Sequence, residues 1–489
     1  MTNTSPSGAS LRVLIIGAGF GGIGLAIQLL KAGIRDFQIL EKGDDVGGTW
    51  RDNSYPGAAC DVPSHLYSYS FEPKADWSRK FAPQAEIFAY QRHCADKYGL
   101  RPYIRFGCEV AEATFDEGDG TWQVRSTAGE HFRARALVSA CGQLNRPAWP
   151  KVPGLERFRG VLFHSARWDH GYPLEGKRVG VIGTGASAIQ FVPQIAPKVA
   201  RLSLFQRSAA YVIHKPDRAY RPWELALMRR LPALQKVDRL LKYVQHESRV
   251  LAFSVFPPLM KLMRARFHRH LARGIADPVL RQRLVPDYPL GCKRILISND
   301  FYPALNRDNV EVVDCGISEV TEDAVFTRDG RRIEVDAIIL GTGFTATDFL
   351  APMTLRGRGG RDLNEAWRDG AEAFLGISVS GFPNLFMLYG PNTNLGHNSI
   401  LYMLESQFRY VLDGIRALDG LRYLDLKPDV QHRFNQRLQQ AVRHTVWEQG
   451  CQSWYKTADG RNTNNWPGFT FTYRRQTRRL ELEHYDCVR

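Results

Sequence analysis

The chain has 489 residues, 44% of them apolar, and a formal net charge of +15; this length suits about three domains with sizeable cores. Its eight cysteines, at 60, 94, 108, 141, 292, 315, 451 and 487, form no C-x-x-C and no metal-ligand spacing. That argues against zinc or any other metal, against a dithiol redox pair and against a secreted disulfide framework, and it reads the even count as incidental. No run of about 18 uninterrupted apolar residues occurs, so no membrane span is expected.

The start, MTNTSPSGAS, is polar and expected to fray. It has no basic region ahead of an apolar core, so LRVLIIGAGFGGIGLAI after it reads as strand, turn and helix rather than a signal sequence. The expected location is cytoplasmic.

The first predicted unit begins with the apolar strand of VLIIGAGFGG, residues 13–22. A helix follows over 23–32, and a second strand, FQIL, over 37–40; together they make a βαβ unit of about 30 residues. The turn Gly17-x-Gly19-x-x-Gly22, with Gly21 inside it, frees backbone N–H groups at a helix N-terminus, where they and the helix dipole receive a pyrophosphate. Glu41 closes the second strand, 24 positions after Gly17. An acid there accepts from a free ribose 2′-OH, so the unit is expected to bind an adenosine with free ribose. The alternative is a strand-end surface charge.

The pattern repeats at VGVIGTGASA, residues 179–188, where Gly183, Thr184, Gly185, Ala186 and Ser187 form the turn. A helix is expected over 187–196, kinked or ended early by Pro193, and the strand LSLF follows at 202–205. Arg207 lies 24 positions after Gly183, and Ser208 is next to it. A cation there suits a 2′-phosphate, so this unit is expected to prefer NADP to NAD. Arg207 as a plain surface charge is again the alternative.

Residues 213–290 read as a helical excursion from the spacing of Leu225, Met228 and Leu231 and of Leu240, Leu241 and Val244. Between Arg221 and Arg283 stand 14 Lys/Arg against 4 Asp/Glu. This excess reads as a solvated helical face or as attraction to an anionic membrane surface. No recognition motif accompanies it, so nucleic acid is not an expected partner. The run VLAFSVFPPLMKLM at 250–263 reads as core, as a membrane contact or as a wall of the substrate entrance. A last strand and turn, DAIILGTGF at 336–344, is expected to return the chain to its first nucleotide domain.

Between the two glycine turns lies FRGVLFHSARWD, residues 158–169, which spells F-x-G-x-x-x-H-x-x-x-W-D through Phe158, Gly160, His164, Trp168 and Asp169. This string resembles the fingerprint of the type I Baeyer–Villiger monooxygenases, FAD- and NADPH-dependent class B flavoproteins. The related flavin-containing monooxygenases carry a similar string without the Trp-Asp or Trp-Pro ending. Other stretches resemble the same family. GGTW at 47–50, YPGAACD at 55–61 and YSYSF at 67–71 are similar to its GG-x-W, YPG-x-x-CD and Y-x-Y-S-F segments. GCKR at 291–294, YGPNTNLGHNS at 389–399 and SWY at 453–455 also have counterparts. The wording CKR-x-L-x-SND-x-YP-x-L looks closer to the branch of aryl-ketone and broad-specificity ketone enzymes than to the cyclohexanone branch.

The resemblance implies roles for single residues. Gly47 and Gly48 would let the backbone approach the cofactor beside Thr49, and Trp50 and Tyr55 would offer stacking faces. Asp61 would lie over the flavin ring, Tyr67 (rather than Tyr69) would touch the flavin, and Val110 would touch the adenine. Lys293 would meet the NADP 2′-phosphate, Arg294 would stand over the flavin, and Trp454 would ride on a loop that closes on NADP. Asp61 could instead be a turn aspartate, and Lys293-Arg294 a surface basic pair. His164 is implied to matter for domain movement and is not read as a general base; a hydrogen-bonded structural histidine fits equally.

The implied fold is α/β, with two Rossmann-like dinucleotide-binding domains, one for FAD and one for NADP, and a helical insertion in the second. The FAD domain would comprise 1–145 and 341–489. The NADP domain would comprise 146–212, with the linker, and 291–340, and the insertion 213–290. The implied reaction inserts one oxygen atom of O2 beside a ketone carbonyl to give an ester or lactone, through a C4a-peroxyflavin. Arg294 would stabilise the anion and Asp61 would orient Arg294. The substrate would be a small, lipophilic ketone. Oxygenation of amine nitrogen or thioether sulfur is the alternative, and a non-catalytic nucleotide-binding flavoprotein sensor a remote one. The oligomeric state is not readable.

Overall fold

A computed structural model describes residues 10–489. The polar start expected to fray lies, up to residue 9, outside the described residues.

The fold is α/β and is built on two sheets. In the first, Leu11–Ile16 is central. It pairs in parallel with Phe37–Leu40 on one side and His131–Ser139 on the other, with Val13 opposite Phe37 and Ala136. The strand is apolar without alternation, as a parallel strand covered on both faces must be, and Val13, Leu14 and Ile15 are fully buried. An antiparallel meander, Val110–Asp116, Thr121–Ser126 and His131–Ser139, extends this sheet. Two late strands, Thr354–Arg356 and Leu385–Met387, also join it.

The second sheet is parallel throughout, in the order Val310–Val313, Arg201–Phe205, Arg178–Ile182, Ala337–Leu340 and Val161–His164. The strand of DAIILGTGF therefore belongs to the second sheet, and the chain re-enters the first sheet only after it.

The helices after the glycine turns are Phe20–Lys31 and Ala188–Ile195. The second ends two residues after Pro193, which lacks the N–H to continue the hydrogen-bond ladder. In both sheets the glycine turn sits against the chain leaving the neighbouring strand. A Cβ on Gly17 would lie 2.8 Å from the Ala140 carbonyl oxygen, and Gly183 meets the Gly341 carbonyl in the same way. Both turns also have positive φ, +104° and +110°, which only glycine adopts without strain. Each turn thus opens at the carboxyl end of its sheet, where ligands bind in open α/β folds.

The excursion is helical, with helices Pro222–Arg230, Pro232–Glu247, Met260–Gly274 and Pro278–Arg283. Three of them start on proline, whose fixed φ suits the first turn. Within 250–263, Val250, Phe253 and Met260 are buried, while Leu251, Val255, Phe256, Leu259 and Leu262 are exposed. No described helix is long and apolar enough to cross a membrane.

Candidate active site

The two glycine turns open onto one continuous cleft of about 1480 Å3. That exceeds the roughly 300–1,000 Å3 of an ordinary single-ligand pocket and leaves room for two large ligands. Residues 250–263, for which a wall of the substrate entrance is one reading, do not line this cleft, whereas Tyr288 near the end of the 213–290 insertion does.

At the first turn, Gly17, Gly19 and Gly21 line the cleft and Gly22 does not. Gly22 instead packs against the Gly17 carbonyl, leaving no room for a Cβ, and so draws the helix onto the turn. A Cβ on Gly48 would sit 3.3 Å from the Gly19 Cα, so two stretches of bare backbone run side by side. The helix starting at Phe20 has no side-chain cap; its first N–H groups are free for an anion. Glu41 is buried, and its carboxylate accepts from Ala18 N at 2.8 Å, Gly43 N at 2.8 Å and Arg51 Nη1 at 3.0 Å. A carboxylate has about four acceptor sites, so one remains for a ribose hydroxyl. These features fit an adenosine diphosphate.

At the second turn, Gly183 to Ser187 line the cleft, and the helix from Ala188 also lacks a side-chain cap. Thr184 Oγ1 donates to the Ser208 carbonyl at 3.1 Å, and Lys293 Nζ donates to Ser208 Oγ at 3.3 Å. Burial and the charge of Arg207 hold the Lys293 pKa below its ordinary value. Two neighbouring cations that repel each other make a site for an anion of more than one charge. The residues present fit a 2′-phosphate.

Between the turns, Arg294 Nη2 donates to Asp61 Oδ2 at 2.9 Å. Arg294 lies deep in the molecule, yet 41% of its side chain is exposed, because it faces the cleft. Burial would lower its pKa, but Asp61 and the neighbouring Tyr455 and Tyr389 hold it above the ordinary arginine value. Burial pushes the Cys60 thiol and the Tyr455 phenol each up to about 12 and raises Tyr389 further. These groups are neutral near pH 7, so Asp61 supplies the counter-charge. Asp61 Oδ1 is buried without a hydrogen-bond partner, which leaves an acceptor for a bound group.

The other expected residues divide. Thr49, Trp50, Tyr67, Val110 and Trp454 line the cleft. Trp50 Nε1 donates to the Tyr67 hydroxyl at 3.1 Å, fixing that ring. Tyr69 instead lies in the core and donates to the Phe20 carbonyl at 2.6 Å. Tyr55 also lines the cleft; its hydroxyl donates to Gln190 Oε1 at 2.9 Å, and its ring meets Phe191 in a T-shaped contact.

The fingerprint residues 158–169 line no part of the cleft. A Cβ on Gly160 would strike the Phe158 ring and the Asp336 carbonyl. His164 Nδ1 accepts from Ala166 N at 3.1 Å, and burial pushes its pKa down to about 4. The neutral, buried ring packs edge-on against Phe344, which lines the cleft, so His164 sits just behind the cleft wall. Trp168 packs on Phe163 and Phe191, and Asp169 accepts from Gly171 N at 2.9 Å. The segment thus braces the second sheet beside 341–344, where Ala148 N donates to the Gly343 carbonyl at 2.8 Å.

Four contributors have no individual role assigned from the sequence, although Tyr389 opens the 389–399 stretch that is similar to the family. Arg51 neutralises Glu41. Gln190 bonds to both Tyr55 and the Ala59 carbonyl, joining the second helix to the Asp61 segment. Tyr389, with a left-handed φ of 62°, lines the cleft and donates to Asn394 Oδ1 at 2.6 Å; strain of this kind collects at functional sites. Finally, Cys292 and Cys451 are joined as a disulfide with Cα atoms 6.2 Å apart. The other six cysteines are free, so there is no disulfide framework, and a pair separated by 159 residues has no local spacing to betray it. The bond ties the Lys293-Arg294 segment to the loop of Trp454. The one trio of described residues whose side chains converge closely enough for a metal, Glu481, Glu483 and His484, is outside the cleft.

Comparisons with known proteins agree with this geometry. Residues 10–270 match the family described as flavin-binding monooxygenase-like. The chain is 48% identical to a Baeyer-Villiger monooxygenase of Pseudomonas aeruginosa, covering 99% of this chain and 94% of the relative. It is also 48% identical to a Baeyer-Villiger monooxygenase of Streptomyces coelicolor, covering 98% and 93%. Among solved structures, an oxidised steroid monooxygenase bound to NADP matches with a TM-score of 0.88 and 32% identity, over 98% of this chain and 99% of that one. OTEMO in complex with FAD and NADP matches with a TM-score of 0.88 and 28% identity, over 98% and 100%.

Proposed function

Because the chain belongs to the flavin-binding monooxygenase-like family, we propose that it is a Baeyer–Villiger monooxygenase that uses FAD, NADPH and O2 to convert a small ketone to an ester or lactone. The observation that carries this reading is the Asp61–Arg294 pair, 2.9 Å apart in a cleft shared by two dinucleotide turns.

FAD, when bound, accepts hydride from NADPH and activates O2 for transfer of one oxygen atom. The residues of this chain do the rest. The first turn and Glu41 would hold the adenosine diphosphate of FAD, and Val110 lines the same part of the cleft. The second turn holds the NADP pyrophosphate, and Arg207, Ser208 and Lys293 hold its 2′-phosphate. Trp454 would lie over the nucleotide from the loop that carries Cys451. Arg294 cannot give up its proton, so it offers a permanent positive charge to an anionic oxygen throughout the reaction. Asp61 orients the guanidinium and limits the excess charge. Tyr389 and Tyr455 stay protonated beside the guanidinium, so they add no negative charge to compete with Asp61. Leu395, Ile400, Leu401 and Leu404 line the cleft and suit a lipophilic ketone.

The test is a panel of ketones with NADPH and 18O2. One labelled oxygen per ester, with one NADPH consumed, supports the reading. A protein that makes sulfoxide from thioethers and no ester from any ketone would assign it to heteroatom oxygenation instead.

A further inference from the structure

A surface helix normally turns its apolar stripe inward. The helix Pro232–Glu247 does the reverse. Its inner face carries polar side chains bonded to the body of the molecule. Asp238 pairs with His65 at 2.8 Å, Arg239 donates to the His65 and Ser68 carbonyls at 2.7 and 2.8 Å, and Glu247 accepts from Thr470 N at 2.6 Å. Its outer face carries Leu234, Val237, Leu240, Leu241 and Val244, and the last four are 50–62% exposed. The apolar surface runs on through Val255, Phe256, Leu259 and Leu262 on the elements that follow. Exposed apolar side chains gathered on one helix face mark a docking face.

Charge identifies the occupant. Arg230, Lys236, Arg249, Lys261 and Arg264 are exposed along the same stretch. The four acids of the segment are all engaged away from it: Glu224 with Arg218, Asp238 with His65, Glu247 with Thr470, and Asp277 as the cap of Val279 and Leu280. A second copy of this face would set cation against cation. An apolar stripe flanked by uncompensated Lys and Arg is the form of a helix lying in a bilayer interface, its side chains among the acyl chains and its cations among anionic headgroups.

We propose that the outward face of Pro232–Glu247, continued through Leu262, seats the enzyme on anionic membrane. None of these residues lines the cleft, so docking is independent of the reaction assigned above.

Sedimentation of the purified, flavin-loaded protein with vesicles tests this. Binding is expected to vesicles of phosphatidylcholine mixed with phosphatidylglycerol, not to phosphatidylcholine alone, and it should fall as salt rises. The triple variant Val237→Gln, Leu240→Gln, Leu241→Gln should bind the anionic vesicles at least about tenfold less while turning over a water-soluble ketone at the parental rate. Independently, Leu240→Cys carrying a nitrobenzoxadiazole dye should shift its emission to the blue on anionic vesicles only. No binding to anionic vesicles at low salt, equal binding to neutral ones, or an unshifted dye would overturn the proposal. So would a dimer, seen by light scattering, that the triple variant dissolves and that binds no vesicle.

Discussion

Arg294 and Asp61 stand 233 positions apart in the chain and meet side chain to side chain at 2.9 Å. They come from different parts of the fold, Asp61 following the first βαβ unit and Arg294 following the helical insertion. Their meeting requires the segments around the two sheets to be held together. Gln190 and the bond from Cys292 to Cys451 supply part of that restraint. The pair is therefore a report on the whole assembly as well as on the chemistry.

The flavin site depends on the closeness of the first helix to its turn. Gly22→Ala places a methyl group against the Gly17 carbonyl, and the turn must open to admit it. The variant should purify without the flavin spectrum of the parent, or with a flavin Kd raised at least about tenfold, roughly 1.4 kcal/mol. Absorbance of the purified proteins and titration with FAD check this; full flavin occupancy in the variant would contradict it.

Nucleotide choice rests on two neighbouring cations, Arg207 and Lys293. NADPH should be preferred over NADH by at least about tenfold in kcat/KM. Arg207→Ala and Lys293→Ala should each shrink that ratio, chiefly by raising KM for NADPH, and the double variant should approach parity. Equal use of both nucleotides by the parent would remove the 2′-phosphate from the assignment.

Three buried histidines set the acid limit of stability. Burial pushes His164 and His246 down to about 4 and His397 down to about 3, all below the ordinary value. Between pH 6.5 and about 4 the unfolded chain therefore binds more protons than the folded one. Stability is complete above pH 6.5 and is lost as pH falls, by up to about 1.4 kcal/mol per pH unit for each histidine. Denaturant melts across this window should show the decline, with a shallower slope for His397→Asn. A midpoint flat down to pH 4.5 would contradict the burial of these rings as neutral groups.

Local pattern carried much of this architecture. The glycine turns, the strands beside them and the positions of Glu41 and Arg207 are all set within about 30 residues, where strand and helix period govern spacing. Asp61, Tyr67, Lys293 and Arg294 were legible through likeness to a family, since nothing local ties residue 61 to residue 294. Gln190, Arg51 and the Cys292–Cys451 bond were not legible, because each acts through a partner brought near by tertiary structure. The leucines of Pro232–Glu247 show a further limit. Their period predicts a helix, but period alone does not say whether the apolar side faces core or solvent. Only the engagement of Asp238, Arg239 and Glu247 on the inner side decides it.

The reaction type turns on the fixed charge of Arg294. Hydride transfer needs nicotinamide beside flavin, whereas ester formation needs an anionic oxygen stabilised where the guanidinium points. Loss of one preorganised charge at such a site costs about 10²–10³-fold. Stopped-flow flavin reduction by NADPH and ester yield, measured together on the parent and on Arg294→Ala, separate the two steps. The parent should form one ester per NADPH. The variant should still reduce its flavin but form almost no ester, and its NADPH consumption should appear as hydrogen peroxide. Ester formation by Arg294→Ala at near the parental rate would contradict the assignment.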